Sequence, residues 1–266
     1  MIKLIASDLD GTLLPEGTMD INPEIYEVIR KLKEKGIVFA AVSGREYDSI
    51  ERVFVPVRDD IYFISGNGSV ISYKGEIIEK LEIPADTLKE IVEYVRAQEG
   101  ASFMTAGSTK AYVETNTDPK FMSKLRNGYR LNINVLDDVL QAPETMTKVA
   151  MFNENVDAAI EAKRIQEIFK DKVQVMASGG HWVDFVNLQS GKGSALHKLC
   201  ERLGIDRKDE VAAFGDNCND VSMLTEAGKS YAVTTAREEA KEAARYVLET
   251  PGADSVLNVL KMILEL

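Results

Sequence analysis

Short apolar runs alternating with amphipathic helical stretches occupy both ends of this 266-residue chain, and a long segment of different rhythm separates them. Residues 3–7 read as a buried strand, and Asn22 can cap a helix entered through Pro23. Ile25, Val28, Ile29 and Leu32 fall on one face of that helix before Gly36 ends it. Residues 37–42 return to an apolar strand, 47–54 to a helix and 61–65 to a strand, and 70–78 predict a hairpin turning at Lys74-Gly75. Past Ile83-Pro84 a helix carrying Leu88, Ile91, Val92 and Val95 precedes strand candidates around Phe103, Tyr112, Ile133, Val149, Val175 and Val183, with another helix over 156–169. From Lys192 the alternation resumes with a helix to Leu203, Gly204 as its stop, and a strand over 211–214. This pattern predicts an α/β fold: a doubly wound parallel-sheet core built from residues 1–83 and 187–266, with an α+β domain over 84–186 inserted into it.

Charge narrows the partners. Asp and Glu number 43 against 32 Lys and Arg, a net charge of -11, which repels phosphodiester backbones and anionic lipid. Nucleic acid and membrane are therefore not expected as main partners, whereas a small anion remains acceptable where a site supplies local positive charge. The N-terminal apolar run is too short for a signal peptide, and no later run approaches the ~20 residues of a membrane span, so a cytoplasmic protein is expected. Cys200 and Cys218 lack ligand-spaced Cys or His neighbours, which excludes a zinc site of ordinary spacing.

Four polar motifs stand where strands are predicted to end or helices to begin. Asp8-Leu9-Asp10-Gly11-Thr12 follows the first apolar strand. In a doubly wound sheet the strand carboxyl ends form the ligand crevice, so both carboxylates are aimed into it. Two like charges two residues apart can bind a divalent cation or divide nucleophile and acid roles. Ser43-Gly44-Arg45 follows the strand over 37–42, where a hydroxyl, backbone N–H groups and a guanidinium fork can hold phosphoryl oxygens. Ser190-Gly191-Lys192-Gly193-Ser194 opens a helix. It is not a nucleotide P-loop, because Val186 stands where the first Gly belongs and Gly193 where Ser or Thr belongs. Lys192 at a helix N-terminus is nonetheless a counter-charge for a phosphoryl group. Gly215-Asp216-Asn217-Cys218-Asn219-Asp220 follows another apolar strand and offers the oxygen ligands that magnesium prefers.

In this order the motifs resemble those of the haloacid dehalogenase superfamily, and more narrowly its Cof-type sugar-phosphate phosphatases with a Rossmann-like core and a C2B cap. The resemblance spans essentially the whole chain, and it places the insert where the family places its cap. It implies Asp8 as nucleophile and Asp10 as the acid that serves the leaving oxygen and then activates water. Ser43 and Gly44 would hold the phosphoryl group and Lys192 would neutralise it. Asp216 would join Asp8 and the Asp10 carbonyl around Mg2+, with Asp220 as a further ligand or supporting group and Asn219 near the phosphate. Arg45, Asn67 in a family-like turn, and His181 in Gly179-Gly180-His181-Trp182 are candidates for substrate contacts. The function implied is hydrolysis of a small phosphorylated metabolite such as a sugar phosphate. A phosphomutase, a non-catalytic phospholigand-binding protein and a nucleic-acid phosphatase are the alternatives; net charge opposes the last, and the retained nucleophile and acid oppose the second.

Overall fold

The computed structural model describes residues 1–16, 18–250 and 253–265; Leu266, where the expected core segment ends, lies outside the described residues. The larger of two sheets has eight strands. From the first end of the chain come β1 (Leu4–Asp8), β2 (Val38–Val42), β3 (Tyr62–Ser65), β4 (Val70–Tyr73) and β5 (Glu76–Lys80), with helices α1 (Glu24–Glu34) and α2 (Tyr47–Val53) between them. The smaller sheet follows, made of β6 (Ser102–Ala106), β7 (Ala111–Glu114), β8 (Ile133–Leu136), β9 (Lys148–Phe152), β10 (Val173–Ala177) and β11 (Trp182–Asn187). Its helices are α3 (Ala85–Arg96), α4 (Pro119–Ser123) and α5 (Ala158–Phe169). The last part returns to the larger sheet with α6 (Lys192–Leu203), β12 (Val211–Gly215), α7 (Val221–Glu226), β13 (Lys229–Ala232), α8 (Glu238–Ala243), β14 (Tyr246–Val247) and α9 (Ala253–Glu265).

The larger sheet runs β14-β13-β12-β1-β2-β3-β4-β5. It is parallel from β14 to β3 and antiparallel across β4 and β5, so the parallel core expected from alternation carries an antiparallel hairpin at one edge. That hairpin turns at Lys74 (φ 52°) and Gly75 (φ 78°), two positive φ values in succession, which match the twist of the flanking strands. The α1 entrance also follows local chemistry: Asn22 Oδ1 accepts the Glu24 N–H at 3.0 Å. Ile25, Val28, Ile29 and Leu32 are its buried face. Phe54 packs against Phe39 and Phe63 with ring centroids 6.3 and 6.2 Å away, joining α2 to the centre of the sheet.

The smaller sheet, ordered β10-β11-β9-β6-β7-β8, is antiparallel except for β7 and β8. Its core has Ile91 and Val95 of α3 and Ile165 and Phe169 of α5 packed on Val149, Val183 and Phe185. Strand register positions the site. β1 lies between β12 and β2, where the chain crosses from one side of the sheet to the other, and ligand crevices form at such switch points. Asp8 stands opposite Val42 and Ser7 opposite Phe214, so the residues following β2 and β12 emerge beside Asp8.

Candidate active site

Eight of the residues singled out from sequence line one cavity: Asp8, Asp10, Ser43, Gly44, Arg45, Lys192, Asp216 and Asn219. The cavity measures about 90 Å3, against the roughly 10–15 Å3 that one water needs. It has room for a compact polar group.

Its floor is a buried ionic cluster. Lys192 Nζ donates to Asp8 Oδ1 and to Asp220 Oδ1, each at 2.6 Å, and all three side chains are at most 5% exposed. Asp220 Oδ2 accepts the backbone N–H groups of Asp216 and Asn217 at 3.0 Å. Both Asp220 oxygens are thus engaged, one by the ammonium and one by the loop it orders. Asp216 Oδ1 accepts from Thr12 Oγ1 at 3.1 Å. One oxygen from each of Asp8, Asp216 and Asp220 lies within 4.8 Å of the others.

Gly11 makes this convergence sterically feasible. Its φ of 81° is unfavourable for other residues, and a Cβ there would come within 2.4 Å of Asp216 Oδ2. Gly44 serves the other wall in the same way, since its Cβ would meet Ser178 Oγ of the smaller unit at 2.5 Å.

Crowded carboxylates resist ionisation. Burial, reinforced by Asp220 and Asp216 and opposed by Lys192, holds the Asp8 carboxyl well above its ordinary range. Burial and Asp220 likewise push Asp216 up to about 6, again against Lys192. For Lys192, burial works against the ammonium, yet Asp220 and Asp8 outweigh it and keep the group charged far above neutral pH.

Ser43 is buried, and its Oγ accepts the Arg45 N–H at 3.1 Å, leaving its own proton for another acceptor. Arg45, only 5% exposed, turns onto Asp10: Nε donates to Asp10 Oδ2 at 2.7 Å and Nη2 bonds Oδ1. Asn67 is fully buried outside the cavity lining, with its amide between Asp184 and Asn219. His181 is exposed and also absent from the lining, and its Nδ1 lies 3.3 Å from the Val156 carbonyl. Its neighbour Trp182 lines the cavity, with Nε1 donating to the Tyr129 hydroxyl at 3.1 Å.

Sequence reading missed Glu46, Tyr129, Lys148 and Asp184, all of which line the cavity. Asp184 left a signal: a lone charge in the apolar run Trp182-Val183-Asp184-Phe185-Val186 is costly to bury unless it has a partner. Lys148, opening the buried strand β9, left a similar one.

A family model for haloacid dehalogenase-like hydrolases matches residues 5–260. A 5-amino-6-(5-phospho-D-ribitylamino)uracil phosphatase of Escherichia coli (strain K12) is 25% identical over 99% of this chain and 97% of its own length. An HMP-PP phosphatase of Escherichia fergusonii is 26% identical over 87% of this chain and 84% of its own. A solved structure from Eubacterium rectale superposes with a TM-score of 0.84 at 33% identity, covering 98% of this chain and 99% of that one. Matched along nearly all of its length by phosphatases, and carrying an acidic cluster at the switch point of its sheet, the chain belongs to the haloacid dehalogenase-like hydrolases and is an enzyme of their phosphatase branch.

Proposed function

We propose that this enzyme is a magnesium-dependent phosphatase that hydrolyses a small phosphomonoester through a phosphoaspartate formed on Asp8. One observation carries the reading: Lys192 bridges Asp8 and Asp220 at 2.6 Å, with Asp216 alongside, at the carboxyl end of the central strand.

The donor set fits a hard divalent cation. Asp8, Asp10, Glu16, Glu46, Asp184 and Asp216 line the cavity against three cations, Arg45, Lys148 and Lys192. A phosphate dianion entering that surplus of carboxylates needs further positive charge, and oxygen donors of this kind suit Mg2+. Carboxylates of Asp8 and Asp216 and the Asp10 carbonyl would hold the ion, with Asp220 supporting the loop behind them. Bound there, it offsets the repulsion between Asp8 and the incoming phosphoryl group.

The side chains then divide the work. Ser43 O–H, the Gly44 N–H and Lys192 orient the phosphoryl oxygens so that an Asp8 oxygen faces phosphorus in line with the leaving oxygen. As the Asp8 O–P bond forms and the ester P–O bond breaks, Asp10 gives its proton to the departing oxygen. Asp10, now a carboxylate, takes a proton from water, the water oxygen attacks phosphorus, and Asp8 leaves as a carboxylate with inorganic phosphate. We read residues 84–186 as a cap that closes this site from bulk water and faces the leaving group with Met104, Tyr129 and Trp182. Substrates are small phosphorylated metabolites, sugar phosphates among them. The net charge of -11 opposes a polyanionic partner, and among the described residues no helix is long and apolar enough to cross a membrane.

A panel of phosphomonoesters assayed for free phosphate with and without Mg2+ tests this reading. Metal-dependent release that is lost in Asp8→Asn supports it. Full activity in Asp8→Asn, or isomerised sugar phosphate in place of free phosphate, overturns it.

A further inference from the structure

Beside the phosphoryl-transfer residues, a chain of buried polar groups crosses from the cap into the core. Lys148 is 4% exposed. Its ammonium donates to the Gly44 carbonyl at 2.8 Å and lies 2.6 Å from Glu46 Oε1 and 3.6 Å from Asp184 Oδ2. Asp184, 1% exposed in the middle of β11, accepts from Asn67 Nδ2 at 2.6 Å. Asn67 Oδ1 accepts from Asn219 Nδ2 at 2.8 Å. Lys148 and Asp184 belong to the cap strands; Gly44, Glu46, Asn67 and Asn219 belong to the core loops around the site.

This chain has a direction. A side-chain amide has one donating and one accepting end, and its neighbours decide which way it faces. An ionised Asp184 only accepts, so it selects the N–H end of Asn67 and turns Asn67 Oδ1 towards Asn219. Asn219 must then meet it with an N–H. Its own Oδ1 is left buried with no hydrogen-bond partner among the described residues, in a side chain that lines the cavity. Reversing Asn67 would set its carbonyl against a carboxylate and its NH2 against another NH2. Without Asp184, neither amide has a fixed reference.

We propose that Asp184 is a positioning residue: seating of the cap fixes Asn67, and through it the orientation of Asn219, so the active site is completed only when the cap is docked. Lys148 seats the cap by bridging Asp184 to Glu46 and the Gly44 carbonyl. The inference rests on the phosphatase reading only in placing Asn219 at the phosphoryl site.

The test is a double-mutant cycle on Asp184→Asn and Asn67→Gly, with p-nitrophenyl phosphate and Mg2+. Glycine keeps the positive φ of 55° at position 67 while removing the amide. Each single variant is expected to lower kcat by about ten- to a hundred-fold, the range for a misplaced catalytic shell, with KM changed less than kcat. If Asp184 acts through Asn67, the double variant is no slower than the slower single one. Additive losses, or an unchanged kcat in either single variant, overturn the proposal. Side-chain amide signals of Asn67 and Asn219 in a 15N NMR spectrum give a readout independent of turnover. Both sets of NH2 protons are expected to be protected from exchange in the parent protein and to lose protection in folded Asp184→Asn. Unchanged Asn219 signals overturn the relay even if the parent hydrolyses no phosphoester, the result that would instead overturn the phosphatase reading.

Discussion

Arg45 clasps Asp10 at two points, with Nε 2.7 Å from Oδ2 and Nη2 bonded to Oδ1. The same Nη2 reaches the Thr18 carbonyl at 2.8 Å, and the guanidinium carbon stands 5.5 Å from the centre of the Tyr129 ring. A planar fork that meets both carboxylate oxygens fixes the plane of the carboxyl as well as its position. The aim of Asp10 is therefore set by a residue on the next strand's loop and by an aromatic ring of the cap. Arg45, expected from sequence as a substrate contact, is already committed to the proposed acid.

Loss of that clasp should appear in the leaving-group dependence. Arg45→Ala is expected to lower kcat for an alkyl phosphate by about ten- to a hundred-fold, within the contribution of a well-placed general acid. The loss should be smaller for p-nitrophenyl phosphate, whose leaving oxygen needs no proton. Arg45→Lys restores charge without the fork and should recover only part of the rate. Steady-state kinetics on both substrates decide the matter, and equal losses on the two would show that Arg45 does not act through proton donation by Asp10 to the leaving oxygen.

Mg2+ should stabilise the fold through Asp8 and Asp216. At a hundred times its dissociation constant a ligand adds about 2.7 kcal/mol, which for a chain of this size raises the melting temperature by roughly 5–10 °C. The folded-state pKa of Asp216, about 6, is raised, so in the metal-free protein its contribution to stability is fully present below the ordinary carboxylate range and is lost as pH rises through 6. Asp216→Asn should remove that loss and abolish the Mg2+ shift. Thermal melts at pH 7.5 with and without Mg2+ measure both effects, and a full Mg2+ shift in the variant would place the ion elsewhere.

Lys192 is the counter-ion of two buried carboxylates, so its removal should cost more than one hydrogen bond. Lys192→Met leaves Asp8 and Asp220 facing each other without an ammonium, and breaking a buried pair in this way costs about 3–5 kcal/mol. The loss should shrink at acid pH, where Asp8, its carboxyl already held high, can protonate and end the repulsion. Urea unfolding of parent and variant at pH 7 and pH 5 gives the difference directly. An equal loss at both values would mean that packing, not charge, dominates.

The chemistry of the site was more legible in the sequence than its enclosure. Asp8, Ser43 and Asp216 stand at strand ends because an apolar run followed by polar residues and glycine has few other ways to fold in a parallel sheet, and β1 pairing then brings them together. Lys192 was visible as a charge opening a helix. The cap residues were not, because their roles depend on how two sheets face each other, and that distance has no period in the chain. Asn67 shows the limit: the sequence marks a turn, and only packing reveals that the turn's side chain lies between Asp184 and Asn219. His181 illustrates the converse, a conspicuous residue in a glycine-rich turn that packs near Phe152 while its neighbour Trp182 takes the cavity wall.

Asp184 should give stability and activity opposite pH dependences. Burial pushes its carboxyl from an ordinary value of 3.8 to about 6, with Glu46 adding to the rise and Lys148 and Ser178 opposing it. The groups that face it are Lys148, Glu46, the Ser178 hydroxyl and the Asn67 amide. A raised folded-state pKa means that its contribution to stability is fully present below pH ~4 and is lost as pH rises through 6. A rise of roughly two pH units corresponds to about 3 kcal/mol. The relay to Asn219 needs the ionised carboxylate, since a protonated Asp184 could donate to Asn67 and turn it round. Stability attributable to Asp184 should therefore fall, and turnover rise, across the same interval from pH 4 to 7. Asp8 and Asp216 also titrate above the ordinary carboxylate range, so the quantity to measure is the difference between the parent and Asp184→Asn, in urea unfolding and in kcat. Two difference curves that bend in opposite senses near pH 6 would assign the effect to Asp184. A flat difference in kcat would leave Asp184 as a packing group, with cap docking set by Lys148 and Glu46 alone.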